Sequence, residues 1–115
     1  MVNHEAHIDA VFMALAHPAR RSMLARLCQG EATVGQLAEP LDISLPAVTK
    51  HLKMLERAKL ISRGKSAQWR PCRLERAPLE TASGWIEEQR KVLESRLDRL
   101  EAYLYEMEER ERKKR

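Results

Sequence analysis

Basic side chains recur at helical spacing in the stretch SLPAVTKHLKMLER, residues 44–57. At about 100° per residue in a helix, Val48, Leu52 and Leu55 fall on one side and form an apolar stripe. The opposite side carries a row of four residues: Pro46, Lys50, Lys53 and Arg57. A helix that is buried along one stripe and basic on the other is suited to the major groove of double-stranded DNA, where lysines can meet phosphates or guanine edges.

Three further residues of this stretch carry groups that could touch DNA. Ser44 can cap the helix by accepting the Ala47 amide, which leaves the first turn able to meet a phosphate. Thr49, on the flank of the basic row, can bond a phosphate or a base. His51 lies near the edge of the buried side and could be a satisfied boundary histidine, a phosphate donor or a pH-sensitive contact.

The excess positive charge of the chain is concentrated around this helix. The net charge is +4, yet residues 44–76 hold nine Lys or Arg against Glu56 and Glu75. Such asymmetry indicates a face that binds a polyanion, although a solvated basic surface has the same composition.

The elements around the basic helix predict a winged helix-turn-helix, mainly α with a small β-hairpin. Residues Thr33 to Gln36 fit a capping box that opens a short helix through Glu39. Residues 60–63 and 67–74 predict two strands around a turn at 64–66, with Pro71 at a bulge or on an unpaired edge. Three basic residues of this hairpin could grip the DNA backbone or the minor groove: Arg63, Lys65 and Arg70.

Two helices are predicted before the helix-turn-helix. The first covers about residues 4–16 and is amphipathic. The second begins at Pro18, stops at Gly30 and is expected to turn four residues inward: Met23, Leu24, Leu27 and Cys28.

A long helix is predicted from about Pro78 to the end, which divides the chain into a DNA-binding domain, residues 1–76, and a dimerisation helix, residues 77–115. Its apolar residues follow the alternating spacing of four and three that is typical of a coiled coil. These residues are Ile86, Leu93, Leu97, Leu100, Leu104 and Met107. Such a seam requires a partner helix, most simply that of a second copy, the alternative being packing on its own domain.

Other functions find little support in the residue pattern. The longest apolar run, residues 10–16, is far short of the roughly 20 residues of a membrane span, and the first residues lack a signal peptide, so we expect a cytoplasmic protein. No phosphate loop, metal-ligand cluster or catalytic triad occurs, which predicts no catalytic residues, no cofactor and no metal site. Two sensor hypotheses stay open: a redox switch of Cys28 with Cys72, and a metal held by His4 and His7.

The run from Phe12 to Leu74 resembles the ArsR-type (ArsR/SmtB) winged-helix repressors of bacteria. The matching pieces are FMALAHPARRSMLARL, TVGQLAEPLDISLPAVTKHLKMLERAKLI and RGKSAQWRPCRL, of which A-L-A-H-P-x-R and V-T-K-H-L-x-x-L are the most specific. The resemblance implies a homodimer joined through its first helix (Ile8 and Phe12) and its last helix, acting at a palindromic operator. It also implies DNA contacts from four positions: Ser44, Pro46, Thr49 and His51.

The chain departs from the family pattern at one DNA-contact position and at the places where members sense effectors. Leu45 stands where a glutamine is common, the helix at 33–36 has no cysteine, and no histidine follows His51. The ending RPCRLE and the Trp-bearing helix after it resemble the branch encoded beside START-type proteins. The sequence thus predicts a dimeric repressor of its own or a neighbouring operon with an unknown effector, the alternatives being a redox-responsive repressor and a winged-helix protein-interaction module.

Overall fold

The computed structural model describes residues 4–64 and 70–114, with side chains from His7 onward. Within these residues the elements follow one another as α1 (His4–Leu15), α2 (Pro18–Leu27), α3 (Val34–Ala38), α4 (Leu45–Arg57), β1 (Ile61–Arg63), β2 (Cys72–Leu74) and α5 (Arg76–Lys113). Three short helices, a longer one, a hairpin and a final long helix confirm the predicted fold class, a winged helix-turn-helix with a long C-terminal helix. None of the described helices is long and apolar enough to cross a membrane.

The chain divides into two compact units, Met1–Ala82 and Ser83–Arg115. The first unit contains α1 to α4, the hairpin and the start of α5, and the second is the rest of α5. The predicted boundary at residue 76 concerns a division of roles, DNA binding against dimerisation, and it stays a prediction.

Local capping fixes where the helices of the helix-turn-helix begin. The Thr33 hydroxyl accepts the Gln36 amide at 3.2 Å while the Gln36 side chain accepts the Thr33 amide at 2.9 Å, so the predicted capping box is confirmed. Ser44 Oγ accepts the Ala47 amide at 3.3 Å, as predicted. These hydrogen bonds satisfy amide groups that have no partner within the helix itself.

The core of the first unit is centred on α4. Its stripe of Val48, Leu52 and Leu55 is fully buried, with 0% of each residue exposed. Helices α1, α2 and α3 and strand β1 all pack against α4, and Val11 and Met23 join the same apolar cluster. The orientation of α4 is therefore set from several sides at once.

The hairpin differs from its prediction in register. The structure pairs Ile61 with Leu74 and Arg63 with Cys72, in antiparallel order, and the Gly64 amide donates to the Pro71 carbonyl at 2.9 Å. A turn at 64–66 would have placed Arg63 opposite residue 67, so the predicted turn position is wrong. Pro71 is tolerated because its position supplies only an acceptor to the ladder.

A second backbone contact extends the hairpin on its other edge. Ala32 and Cys72 form an isolated antiparallel bridge, in which the Cys72 amide donates to Ala32 at 2.7 Å and the Ala32 amide donates to Cys72 at 3.2 Å. This bridge anchors the β1–β2 hairpin, which is the wing of the fold, to the segment between α2 and α3, and the residue pattern around Ala32 did not predict it.

Cys28 is exposed, whereas Cys72 is buried. The predicted inward orientation of Cys28 is wrong because α2 ends at Leu27 and Cys28 is its C-cap. The other three residues predicted to face inward from α2, Met23, Leu24 and Leu27, are buried.

Helix α5 continues through Gly84 without interruption. The six residues of its predicted seam are between 47% and 58% exposed in the single chain. That stripe is unpartnered within the second unit, which is one continuous helix.

We expect Leu52→Ala to destabilise the protein by about 2–5 kcal/mol, because it removes a fully buried side chain and leaves a cavity in the packing of α4. Leu45→Ala is the matched control, since the Leu45 side chain is 63% exposed on the same helix and its loss should change stability by no more than about 0.5 kcal/mol. Urea unfolding followed by circular dichroism measures both. Equal losses in the two variants would contradict the assigned orientation of α4.

Candidate nucleic-acid interface

The outward side of α4 presents the predicted basic row. Pro46, Lys50, Lys53 and Arg57 are all exposed, directly opposite the buried stripe. Within the part of the chain that the structure describes, the side chains of the three basic residues make no hydrogen bond or ion pair. These three cations are therefore available to bind a ligand with several negative charges, such as a row of phosphates.

The first turn of α4 offers less to an anion than the sequence indicated. Ser44 is exposed and Thr49 is half-buried on the flank of the row. The Ala47 amide is already used by Ser44 Oγ, and Pro46 has no N–H. This leaves the Leu45 amide and the Ser44 hydroxyl hydrogen as the donors of that turn.

His51 lies at the boundary between α4 and α2 and is held there by two residues of the α2 start. Arg20 Nη1 lies 3.0 Å from His51 Nδ1. Because a guanidinium only donates, Nδ1 must accept, and the hydrogen of the neutral ring is on Nε2. The His17 ring packs against the His51 ring with 4.3 Å between centroids and a 45° tilt.

The surroundings of His51 favour its neutral form. Burial lowers the pKa of His51 below its ordinary value, and the nearby His17, Arg20 and Lys50 lower it further. Of the alternatives that the sequence left open for this residue, its contacts show a histidine whose Nδ1 is satisfied within the protein and whose Nε2–H is not used by any described residue.

Arg20 and His17 give a physical role to the H-P-x-R part of the family motif, which the residue pattern alone does not assign. Arg20 also donates from Nε to the Ala14 carbonyl at 2.7 Å and from Nη2 to the Met13 carbonyl at 3.0 Å. His17 caps α2 by accepting the Ala19 amide on Nδ1 at 3.1 Å. The motif thus joins the end of α1, the start of α2 and the middle of α4.

The basic residues of the wing are not equivalent. Arg63 is only 26% exposed in its side chain, and its Nε lies 3.0 Å from Glu56 Oε1 in an ion pair between β1 and α4. Arg70 is exposed, and Lys65 lies outside the described residues. Arg73, which the sequence did not single out, donates from both Nε and Nη2 to Glu31 Oε1, at 2.8 and 2.6 Å.

Among the described residues, neither the redox switch of Cys28 with Cys72 nor the metal site of His4 and His7 is seen as an assembled site. Burial raises the pKa of the Cys72 thiol, with Arg63 opposing and Glu56 adding to the shift, while Cys28 is exposed. Among the described residues no three His, Cys, Asp or Glu side chains come together as a metal site. The His4 side chain lies outside the described part.

Comparison with known proteins agrees with this geometry. Residues 15–63 match a family described as a helix-turn-helix domain. The transcriptional repressor SdpR of Bacillus subtilis is 34% identical over 79 residues, which cover 69% of this chain and 88% of the repressor. A crystal structure of an ArsR family transcriptional regulator is 38% identical, covers 83% of this chain and 98% of its own, and superposes with a TM-score of 0.75. The chain belongs to the ArsR-type helix-turn-helix transcriptional regulators.

Two other relatives extend the comparison. An HTH-type transcriptional regulator of Mycobacterium tuberculosis is 45% identical over 53 residues, which span 46% of this chain and half of that regulator. An ArsR-like transcriptional regulator from Rhodococcus sp. RHA1 is 26% identical, with a TM-score of 0.72 over 86% of this chain and 93% of its own. The resemblance stated from the sequence motifs is therefore confirmed at the level of the family, which consists of DNA-binding regulators, and its START-associated branch stays a prediction.

For this ArsR-type regulator we expect the free energy of unfolding to fall as the pH is lowered from about 7.5 to 5.5. The pKa of His51 is lowered in the folded state, so the unfolded chain takes up a proton at a pH where the folded ring stays neutral. His51→Gln should show a smaller fall, because Gln keeps an acceptor for Arg20 but does not titrate. Urea unfolding at both pH values measures the difference, and an identical fall in both proteins would contradict the assignment.

Proposed function

We propose that this regulator binds a palindromic operator in double-stranded DNA as a homodimer, and that it represses its own or a neighbouring operon. The observation that carries the proposal is the exposed row of Pro46, Lys50, Lys53 and Arg57 on a helix whose opposite stripe is completely buried. A helix held in this way can enter the major groove without losing contact with its domain.

Each residue of the interface has a role that follows from its chemistry. Lys50, Lys53 and Arg57 meet phosphates or guanine edges, since they are cations with no described partner. Thr49 and Ser44 hydroxyls donate to phosphate or base acceptors. His51 offers a neutral N–H.

The wing contributes a second contact, to the DNA backbone or minor groove next to the part of the major groove that α4 enters. Arg70 is exposed and available for it, and Lys65 belongs to the same proposed contact. Arg63 has its Nε committed to Glu56, so it joins this contact through its remaining guanidinium donors.

The apolar stripe of α5 supports the homodimer. An α-helix of 38 residues is about 57 Å long, and a stripe of half-exposed leucines along it is stabilised when a second helix removes it from water. A second copy supplies the same stripe at the same spacing. Arg90 lies on this stripe between Ile86 and Leu93 and is tied to Glu87 and Glu94, which keeps its charge paired beside an apolar seam.

Ile8 and Phe12 of α1 are half-buried in the single chain. We assign them to the same dimer interface, together with the α5 residues.

The DNA-binding proposal is tested by fluorescence anisotropy with the duplex that footprinting identifies upstream of the gene, against a scrambled duplex. Six to ten phosphate contacts should weaken binding by about 10³–10⁵-fold between roughly 50 and 200 mM salt. Lys53→Ala should weaken binding to both duplexes and reduce the salt slope by about 1. Lys113→Ala, which removes the same charge from the other compact unit, is the control. Equal affinity for both duplexes would refute the proposal.

The dimer is tested separately by analytical ultracentrifugation. Leu97→Asp places a charge in the middle of the seam and should yield monomers, because a desolvated unpaired carboxylate is strongly unfavourable. Ser95→Asp introduces the same charge about 160° away on the same helix and should remain dimeric. A Leu97→Asp protein that sediments as a dimer would show that another surface joins the copies.

The redox-responsive alternative, with Cys28 and Cys72, and the protein-interaction alternative stay predictions. The exposed Cys28 and the buried Cys72 have unlike surroundings, and the unpaired basic row favours DNA over a protein partner.

A further inference from the structure

We propose that Arg20 is a positioning residue for DNA recognition, which holds His51 in one tautomer and one orientation so that its Nε2–H meets a hydrogen-bond acceptor of the operator. The inference rests on the proposed function, since it takes His51 as part of the DNA interface. It adds a residue of α2, outside the proposed recognition helix α4, to the determinants of binding.

The contacts of Arg20 make it a rigid support. Its guanidinium donates from three nitrogens to three acceptors: the Ala14 carbonyl at 2.7 Å, the Met13 carbonyl at 3.0 Å and His51 Nδ1 at 3.0 Å. A planar fork with three simultaneous bonds has little freedom. The carbonyls at the end of α1 therefore fix where the third donor points.

The His51 ring is restrained from two directions. Arg20 meets it at Nδ1, and the His17 ring lies against it at 4.3 Å between centroids. His17 is itself fixed, because its Nδ1 accepts the Ala19 amide at 3.1 Å. Ring geometry then places Nε2 on the side of the imidazole away from Arg20.

Among the described residues, the charged or titratable groups that act on His51 are basic: His17, which caps α2, Arg20 of α2, and Lys50 of its own helix. A proton on Nδ1 would remove the acceptor for Arg20 and add a cation to this group. Arg20 thus selects the neutral form with hydrogen on Nε2. A neutral donor releases no counterion from DNA, so its contribution adds to affinity for the right sequence without adding to the salt slope.

Two variants separate this role from the structural role of Arg20 at the end of α1. Arg20→Met removes the contact with His51 as well as both contacts with α1. Arg21→Met is the matched control, because Arg21 Nη1 donates to the Leu15 carbonyl at 2.7 Å at the same helix end and has no contact with His51. Arg20→Lys keeps a cation that can cap α1 but lacks the fork, and it replaces Arg20→Met if that variant does not fold.

The first measurement needs no DNA. Nitrogen-15 NMR of histidine-labelled protein at pH 7.5 should show the Nε2–H tautomer of His51 in the unaltered protein and in Arg21→Met. In Arg20→Met, or in Arg20→Lys, the signal should move to a mixture of tautomers. An unchanged Nε2–H signal in the Arg20 variant would overturn the inference.

The second measurement is affinity for the footprinted duplex. Arg20→Met and His51→Ala should each weaken binding by about 2- to 10-fold, the size of one hydrogen bond, with the salt slope unchanged. The double variant should be no weaker than either single one, since both remove the same contact, and Arg21→Met should bind normally.

The outcomes distinguish this inference from the proposed function. Losses that multiply in the double variant, while the unaltered protein binds its operator, would overturn the role of Arg20 alone. Failure of the unaltered protein to prefer any duplex would overturn the proposed function, and the positioning role with it.

Discussion

The burial of one stripe of α4 is the constraint on which the rest of the structure depends. Val48, Leu52 and Leu55 are completely removed from water by packing against three helices and a strand. A rotation of α4 by one residue, about 100°, in the direction that turns Thr49, Lys53 and Glu56 inward would bury charged side chains, at a cost of several kcal/mol. The outward direction of the basic row is therefore a consequence of the core.

Polar contacts determine what apolar packing leaves open, namely the orientation and protonation of side chains at the edge of the core. Leucines fix the rotation of a helix, but they do not choose the tautomer or direction of a boundary ring. Arg20 does so by joining the carbonyl end of α1 to His51 of α4. The same side chain joins α1, which belongs to the proposed dimer interface, to α4, the proposed recognition helix.

The structure also sorts the basic residues into two groups. Arg63 and Arg73 are committed to Glu56 and Glu31, in contacts that join the wing to its surroundings, whereas Lys50 and Lys53 point away from the protein without a described partner. Charge counted along the sequence does not separate these groups. The residues that hold the wing in place and those that can bind a polyanion alternate along the same stretch.

The sequence by itself determined the number and order of the helices, the caps at Thr33 and Ser44 and the orientation of α4. These features follow from local rules: the 3.6-residue period of apolar residues, the capping box at Thr33 and the Ser44 cap before Pro46. Family motifs identified the class of regulator, because A-L-A-H-P-x-R and V-T-K-H-L-x-x-L occur together.

Only the tertiary structure decided the features that join residues far apart in the chain. The hairpin register and the bridge between Ala32 and Cys72 depend on neighbours that local patterns do not specify. The contact between Arg20 and His51 spans 31 positions, and no periodicity links two such residues. Their pairing follows from the angle at which α2 and α4 pack, which is set by the whole core at once.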